Sequence, residues 1–203
     1  EASARGHRVT AVVHDPGKYD PGTYTELAGD GVRVVAGDVL DADSVAAVAT
    51  GHDAVVQAAG RMDVPAVDFF PVAARALIAG LGRAGVARLV LIGIGTCLEV
   101  EPGVPLYDMP GVDADARAFS LGHQVELDVL RADGDGLDWL VLAPPPVFLD
   151  AEAERTGTYR IGGTAVLPYE GAGEQTFSYA DLAVAVVDEI DAAKHHRVLA
   201  ALA

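Results

Sequence analysis

Six short apolar runs punctuate this chain at wide intervals: Val9–Val13, Val32–Val35, Ala54–Ala58, Leu89–Ile94, Trp139–Ala143 and a late one near Val198–Leu202. Most are continuous rather than alternating, the pattern of strands buried on both faces of a parallel sheet. The intervals are too long for the hairpin spacing of a β-sandwich, and helical patterns fill them. Asp41–Ala49 is a short helix with acidic residues at its start, where the dipole favours them. Val72–Ala84 carries Leu77, Ile78 and Leu81 at helical spacing and stops near Gly85. Asp113–Ala132 places Val125, Leu127, Val129 and Leu130 in its second half. Ser178-Tyr-Ala-Asp181 reads as a capping-box variant, Asp replacing Glu, that opens a helix running towards Ala193. Alternating strands and helices define the fold class as α/β: a Rossmann-like, doubly wound, mainly parallel sheet with helices on both faces and right-handed crossovers.

Residues 1–203 read as a single domain, with no internal repeat and no dividing linker. Hydrophobic residues make up 51% of the chain, enough for a substantial core. Pro102–Gly111 and Asp150–Gly173 are longer irregular stretches, and residues 144–177 are expected to build the substrate side. The formal charge is −16, from 14 basic and 30 acidic residues. Such a surface repels nucleic acid and anionic membranes, so the expected partner is a small molecule. No apolar stretch approaches the roughly 20 residues of a membrane span, and no signal peptide is visible. The single Cys97 rules out an intrachain disulfide framework and fits a reducing, cytoplasmic setting. No metal site is expected, and a homo-oligomer is left open.

Ligands of open α/β sheets bind at the carboxyl ends of the strands, so those ends carry the candidate residues. The first run ends at His14, Asp15 and Lys18, where a dinucleotide's adenosine ribose would lie. His14 and Lys18 favour a 2′-phosphate and Asp15 opposes it, while a plain solvated turn explains the same residues. The second run ends in Gly37, Asp38 and Val39; the carboxylate could accept from an adenine amino group or cap the next helix. Ala58, Ala59 and Gly60 are small enough to let a ring or a phosphate approach the backbone, or a helix pack closely. Gly93 and Ile94 offer another place for direct backbone contact. Pro144, Pro145 and Pro146 hold an extended rim whose carbonyls have no competing N–H groups.

The stretches RGHRVTAVVHDPGKY, VRVVAGDVLDADSV, HDAVVQAAG, RLVLIGIGTCLEVEPGV, LGHQVELDVLR, LDWLVLAPPPVF, RTGTYRIGG and FSYADLAVAVVDEI follow one another in the order of a known family. The chain resembles an atypical short-chain dehydrogenase/reductase of the NmrA-like, NAD(P)H-binding kind, the NADH-flavin reductase type. GTCLEVEPGVPLYDMP and LAPPPVF are the most specific matches. The resemblance implies NAD(P)H as cofactor, with NADPH favoured by His14 and Lys18, and FMN or FAD among the possible substrates. The family's first strand and glycine loop would precede Glu1. A βαβ unit takes roughly thirty residues, so about twenty are expected to be omitted from this sequence rather than lost. A sheet without its central strand would otherwise expose unpaired edges. Glu1–Arg5 then reads as the tail of the first helix with Gly6 as its stop, beside a gap next to Val9–Val13.

Typical short-chain dehydrogenases carry Tyr-x-x-x-Lys on the helix before the proline-rich strand end. By register this chain has Phe119 at the tyrosine position and His123 at the lysine position. Phenylalanine donates no proton, which argues against alcohol–ketone interconversion by the usual route. His123 is the candidate catalytic residue, as an acid or as a partner of the nicotinamide ribose; a histidine that merely lies near the pocket is the plain alternative. Three functions stay open. The first is an NAD(P)H-dependent oxidoreductase passing hydride to a flavin, quinone or similar flat acceptor. The others are a non-catalytic NAD(P)-binding redox sensor and a cofactor-free isomerase-type enzyme using the same pocket.

Overall fold

The computed structural model describes residues 1–19, 31–168 and 176–203. Its main frame is a parallel four-stranded sheet formed by β3 (Ala54–Gln57), β4 (Arg88–Ile92), β7 (Asp138–Ala143) and β10 (Val198–Ala201). The spatial order is β10-β7-β4-β3. A separate parallel pair joins β1 (Val9–Val13) to β2 (Val32–Ala36). Two small sheets flank these: the antiparallel β5 (Glu99–Glu101) and β6 (Val104–Pro105), and the parallel β8 (Phe148–Asp150) and β9 (Thr176–Ser178).

The core divides by the two-residue period of a strand. Leu89 and Leu91 of β4, with Trp139 and Val141 of β7, face one layer of helices: α1 (Ala42–Ala49), α2 (Ala66–Ala84) and α3 (Ala114–Asp133). They meet Leu77 and Leu81 of α2 and Leu127 and Leu130 of α3 there. Val90, Leu140 and Leu142 face the other way, onto Leu182, Ala185 and Val186 of α4 (Tyr179–Asp191). Both faces are therefore dry, as the continuous apolar runs require. Each fully buried Leu or Val side chain stabilises the fold by about 1.5–3 kcal/mol before entropy is charged.

The elements follow the sequence reading at the six main strands and four helices, but β4 stops at Ile92 rather than Ile94, and β5, β6, β8 and β9 have no counterpart in that reading. Helix α2 begins at Ala66, six residues before Val72, and carries Pro71 inside it. Burial of Ala66, Phe69, Phe70 and Ala73 outweighs the hydrogen bond that the proline cannot donate. Strand β3 stops at Gln57 rather than Ala58: the Gln57 side chain accepts from the Ala59 amide at 3.0 Å and donates to the Ala59 carbonyl at 3.1 Å. Ser178 does cap α4, its hydroxyl accepting from the Ala180 amide at 3.0 Å. Asp181, however, accepts from Thr156 and Gly157 and pins that loop instead of closing a capping box.

At the amino terminus, Ser3–Arg5 form a 3₁₀ turn that Gly6 stops in the left-handed conformation at φ 87°. Arg5 is held by Glu1, Asp188 and Asp191. The following strand, β1, pairs with β2 alone, and β3 pairs with β4 alone. The described residues therefore leave a gap beside Val9–Val13, and β1 does not pair directly with β3.

Helix packing is tightest at two glycines. A Cβ on Gly80 would lie 2.6 Å from Val45, and one on Gly122 would lie 2.5 Å from the Ala66 backbone. A Cβ on Gly82, in the same helix as Gly80, would meet nothing within 4 Å. Gly82→Ala is accordingly expected to stabilise the protein by about 0.5–1 kcal/mol through backbone entropy. Gly122→Ala should destabilise it by about 1–3 kcal/mol through overpacking. Urea denaturation of the two variants checks both signs.

Candidate functional site

The gap beside Val9–Val13, between the open edges of β1 and β3, has a volume of about 1470 Å³, and only its rim at the carboxyl ends of the strands is the candidate ligand cleft. Its depth is apolar, with Val12 and Val56 on the facing edge strands, each more than two-fifths exposed. Its mouth, at the carboxyl ends of the strands, is polar. His14 and Lys18 follow β1, Asp38 and Val39 follow β2, and Ala58, Ala59 and Gly60 follow β3; all seven line this one cleft.

Local hydrogen bonds decide what each polar group has left to offer. The Asp15 carboxylate accepts from the Gly17 amide at 3.0 Å and caps the 3₁₀ turn Pro16–Lys18, so it is turned onto its own backbone. Lys18 has no ion pair among the described residues. Asp38 accepts from the Leu40 amide at 2.9 Å, while Asp41 caps α1 by accepting from the Asp43 amide at 2.9 Å. The helix-cap role considered for Asp38 thus belongs to Asp41. A Cβ on Gly60 would meet only the tip of Phe70, at 3.8 Å, leaving the backbone open to a ligand.

Gly93, Ile94 and Pro144–Pro146 do not line this cleft. A Cβ on Gly93 would sit 2.7 Å from Val141, and one on Gly95 would sit 2.6 Å from the Pro144 carbonyl oxygen. The small residues after β4 thus admit the proline segment against the strand end.

His123 lies in the α2–α3 interface rather than on the cleft wall. Its ring stacks on Phe70 at 3.8 Å between centroids and meets Phe119 edge-on at 5.1 Å. Nδ1 lies 3.1 Å from Oε2 of Glu126, whose residue is 2% exposed. Sequence reasoning missed Glu126; its signal was the His-x-x-Glu spacing, which puts both side chains on one helix face. Burial pushes the Glu126 carboxyl up, with the hydrogen bond to His123 opposing. One turn towards the amino end of α3, the Ser120 hydroxyl donates to the Ala116 carbonyl at 2.7 Å and so accepts from Thr96, 2.6 Å away.

One further glycine pattern is a decoy. Gly80-Leu-Gly-Arg-Ala-Gly85 has the letters of a dinucleotide fingerprint but ends a helix instead of opening one. Gly80 admits Val45, and Gly85 is the left-handed cap at φ 72°. A helix carboxyl end repels phosphate.

As a donor set, two basic side chains, a carboxylate with an oxygen to spare and an open small-residue backbone fit the adenosine half of a nicotinamide dinucleotide. Comparison with known proteins supports a nicotinamide cofactor. Residues 1–193 match the family model described as NAD(P)H-binding, and the chain belongs to that family. It is 31% identical over 198 residues to the uncharacterized protein YwnB of Bacillus subtilis, covering 96% of this chain and 86% of that one. A structure from Burkholderia pseudomallei, described as a candidate exported protein, is 34% identical with TM-score 0.81, covering 100% of this chain and 90% of its own. A candidate epimerase of Bacteroides thetaiotaomicron is 28% identical with TM-score 0.82, covering 99% and 87%. At 24% identity, a candidate NADH-flavin reductase of Streptococcus pneumoniae shares the fold with TM-score 0.75, over 99% and 89%. No described helix is long and apolar enough to cross a membrane.

Cys97 bears no reactive thiol. Burial pushes it up to about 12, and Sγ donates to the Ser120 carbonyl. Iodoacetamide at pH 8 is expected to leave Cys97 of the native protein unmodified and to alkylate it in urea. Fast labelling of the native protein would show the site opening.

Proposed function

We propose that the protein is an NAD(P)H-dependent reductase that passes hydride to a flavin, a quinone or a similar flat acceptor. The observation that carries this reading is Phe119. It stands where the general-acid tyrosine of short-chain dehydrogenases would stand, and it packs edge-on against Phe70 at 5.5 Å. A ring without a hydroxyl suits an acceptor that takes hydride through stacked rings and finds its proton elsewhere. Membership of the NAD(P)H-binding family supports the cofactor, which supplies the hydride when bound. His14, Lys18 and Asp38 are assigned to the adenosine end and Ala58–Gly60 to close backbone contact. Gly93, Ile94 and Pro144–Pro146 are kept for the acceptor side. A cytoplasmic setting is part of the same proposal, on the strength of the buried, unpaired Cys97.

The non-catalytic sensor is the second reading, and the enclosure of His123 between Phe70 and Phe119 favours it. Loss of NADPH absorbance in the presence of FMN and a set of quinones separates the two. Turnover supports the reductase; tight NADPH binding without turnover supports the sensor.

The cofactor choice has its own test. Among the described residues Lys18 has no ion-pair partner, whereas Asp15 is engaged with Gly17. A charge-assisted contact of this kind is worth about 1.5–3 kcal/mol, so Lys18→Ala should weaken NADPH binding about ten- to a hundredfold and leave NADH unchanged. Titration calorimetry measures both. Equal losses for the two cofactors would remove Lys18 from the phosphate site.

A further inference from the structure

Glu126 Oε1 is the one fully enclosed side-chain oxygen or nitrogen without a hydrogen-bond partner among the described residues. Such an atom calls for an explanation, because an unpaired charge there carries a heavy desolvation cost. The other oxygen meets Nδ1 of His123 at 3.1 Å. Among the described residues Nε2 of the same ring has no hydrogen bond, and 9% of His123 is exposed. Phe70 and Phe119 fix the ring plane. Phe70 also lies 3.8 Å from the Cβ position of Gly60, so His123 stands one aromatic ring behind the rim of the cleft.

We propose that Glu126 is a positioning residue for His123, holding a proton on the buried oxygen that faces Nδ1 and leaving Nε2–H as the one proton the pair can deliver. This rests on the reductase reading. The resting pair is neutral: the Glu126 hydroxyl donates to Nδ1, and Nε2 bears the ring proton. When the acceptor has taken hydride, the Nε2–H bond breaks and its proton passes by way of solvent to the acceptor's developing anion. The Glu126 proton moves to Nδ1 in the same event, so the ring stays neutral and Glu126 is left as a carboxylate; solvent then protonates Nε2, and the Nδ1 proton returns to Glu126. One hydride and one proton reduce the acceptor, and one solvent proton is consumed. The pair thus does the work that the missing tyrosine hydroxyl would do. Burial disfavours the carboxylate and so works towards the protonated acid, with the hydrogen bond to His123 opposing. The titratable groups coupled to Glu126 among the described residues are His123 on its own helix and the Cys97 thiol on the neighbouring turn.

Nitrogen NMR of the full chain, with His123 assigned by its loss in His123→Gln, reads the pair without any turnover. The expected state at pH 7 is a neutral ring with the proton on Nε2. In Glu126→Gln an amide donates to Nδ1 in place of the hydroxyl, so the tautomer should persist while the relay is lost. Turnover of a quinone with NADPH should then fall on the order of 10²-fold at pH 7. A ring protonated on both nitrogens at pH 7 would make this a plain buried ion pair and overturn the proposal. Undiminished turnover in Glu126→Gln would overturn it as well. If the wild type turns over no acceptor, the reductase reading fails separately, and the tautomer still decides whether the pair stores a proton. Should Glu126→Gln not fold, the wild-type spectrum alone decides that point.

Discussion

The structure depends on the ladder between β4 and β7, five parallel residue pairs from Arg88–Asp138 to Ile92–Leu142. Both strands are buried on both faces, so each needs helices above and below it, and that demand sets the layer order of the rest. Arg88 locks the amino end of the ladder. Its guanidinium donates to the carbonyl and carboxylate of Glu189, to the His195 carbonyl and to Asp138. Burial opposes ionisation of Glu189. The His195 ring and the amides of Lys194 and His195 outweigh that penalty and hold the carboxyl below its ordinary range. The carboxyl end of α4 is thereby tied to the sheet, and losing one member of such a buried pair costs about 3–5 kcal/mol.

The opposite edge of the frame is built differently. β1 and β2 form their own pair, and the cleft separates them from β3. Ion pairs at the amino terminus hold this side: Glu1 joins Arg5 and Arg155, which keep its carboxyl down at about 2, and Arg5 reaches on to Asp188 and Asp191. In a chain of charge −16, His14 and Lys18 at the cleft mouth are a local basic exception. On the proposed reading, a phosphate-bearing ligand meets its attraction there and not over the surface at large.

Helix α3 connects the frame to chemistry. Its outer turns are solvated, while Ser120, His123 and Glu126 form a polar seam facing inward at a spacing of three. Gly122 lets α3 approach Ala66 closely, which brings Phe119 and His123 against Phe70. Polar groups in so dry an interface are costly unless paired, which is why the single unpaired oxygen of Glu126 carries information.

The sequence by itself determined the six main strands, because continuous apolar runs leave a strand no exposed face, and the helices between them, because their periodicity is local. It also determined the residues at the strand ends, since strand position alone sends His14, Lys18, Asp38, Val39 and Ala58–Gly60 to one side of a parallel sheet. Tertiary structure decided the rest. The start of α2 at Ala66 depends on burial against α3, which outweighs the local signal of Pro71. Asp181 looked like a cap by spacing but serves a loop 24 residues earlier. The close approach of Val141 to Gly93 and of the proline segment to Gly95 is a cross-sheet contact that no local pattern shows. The surroundings of His123 come from Phe70, 53 positions away, and from the close helix approach at Gly122. Burial and pairing are properties of contacts between distant segments, so no local pattern could have encoded them.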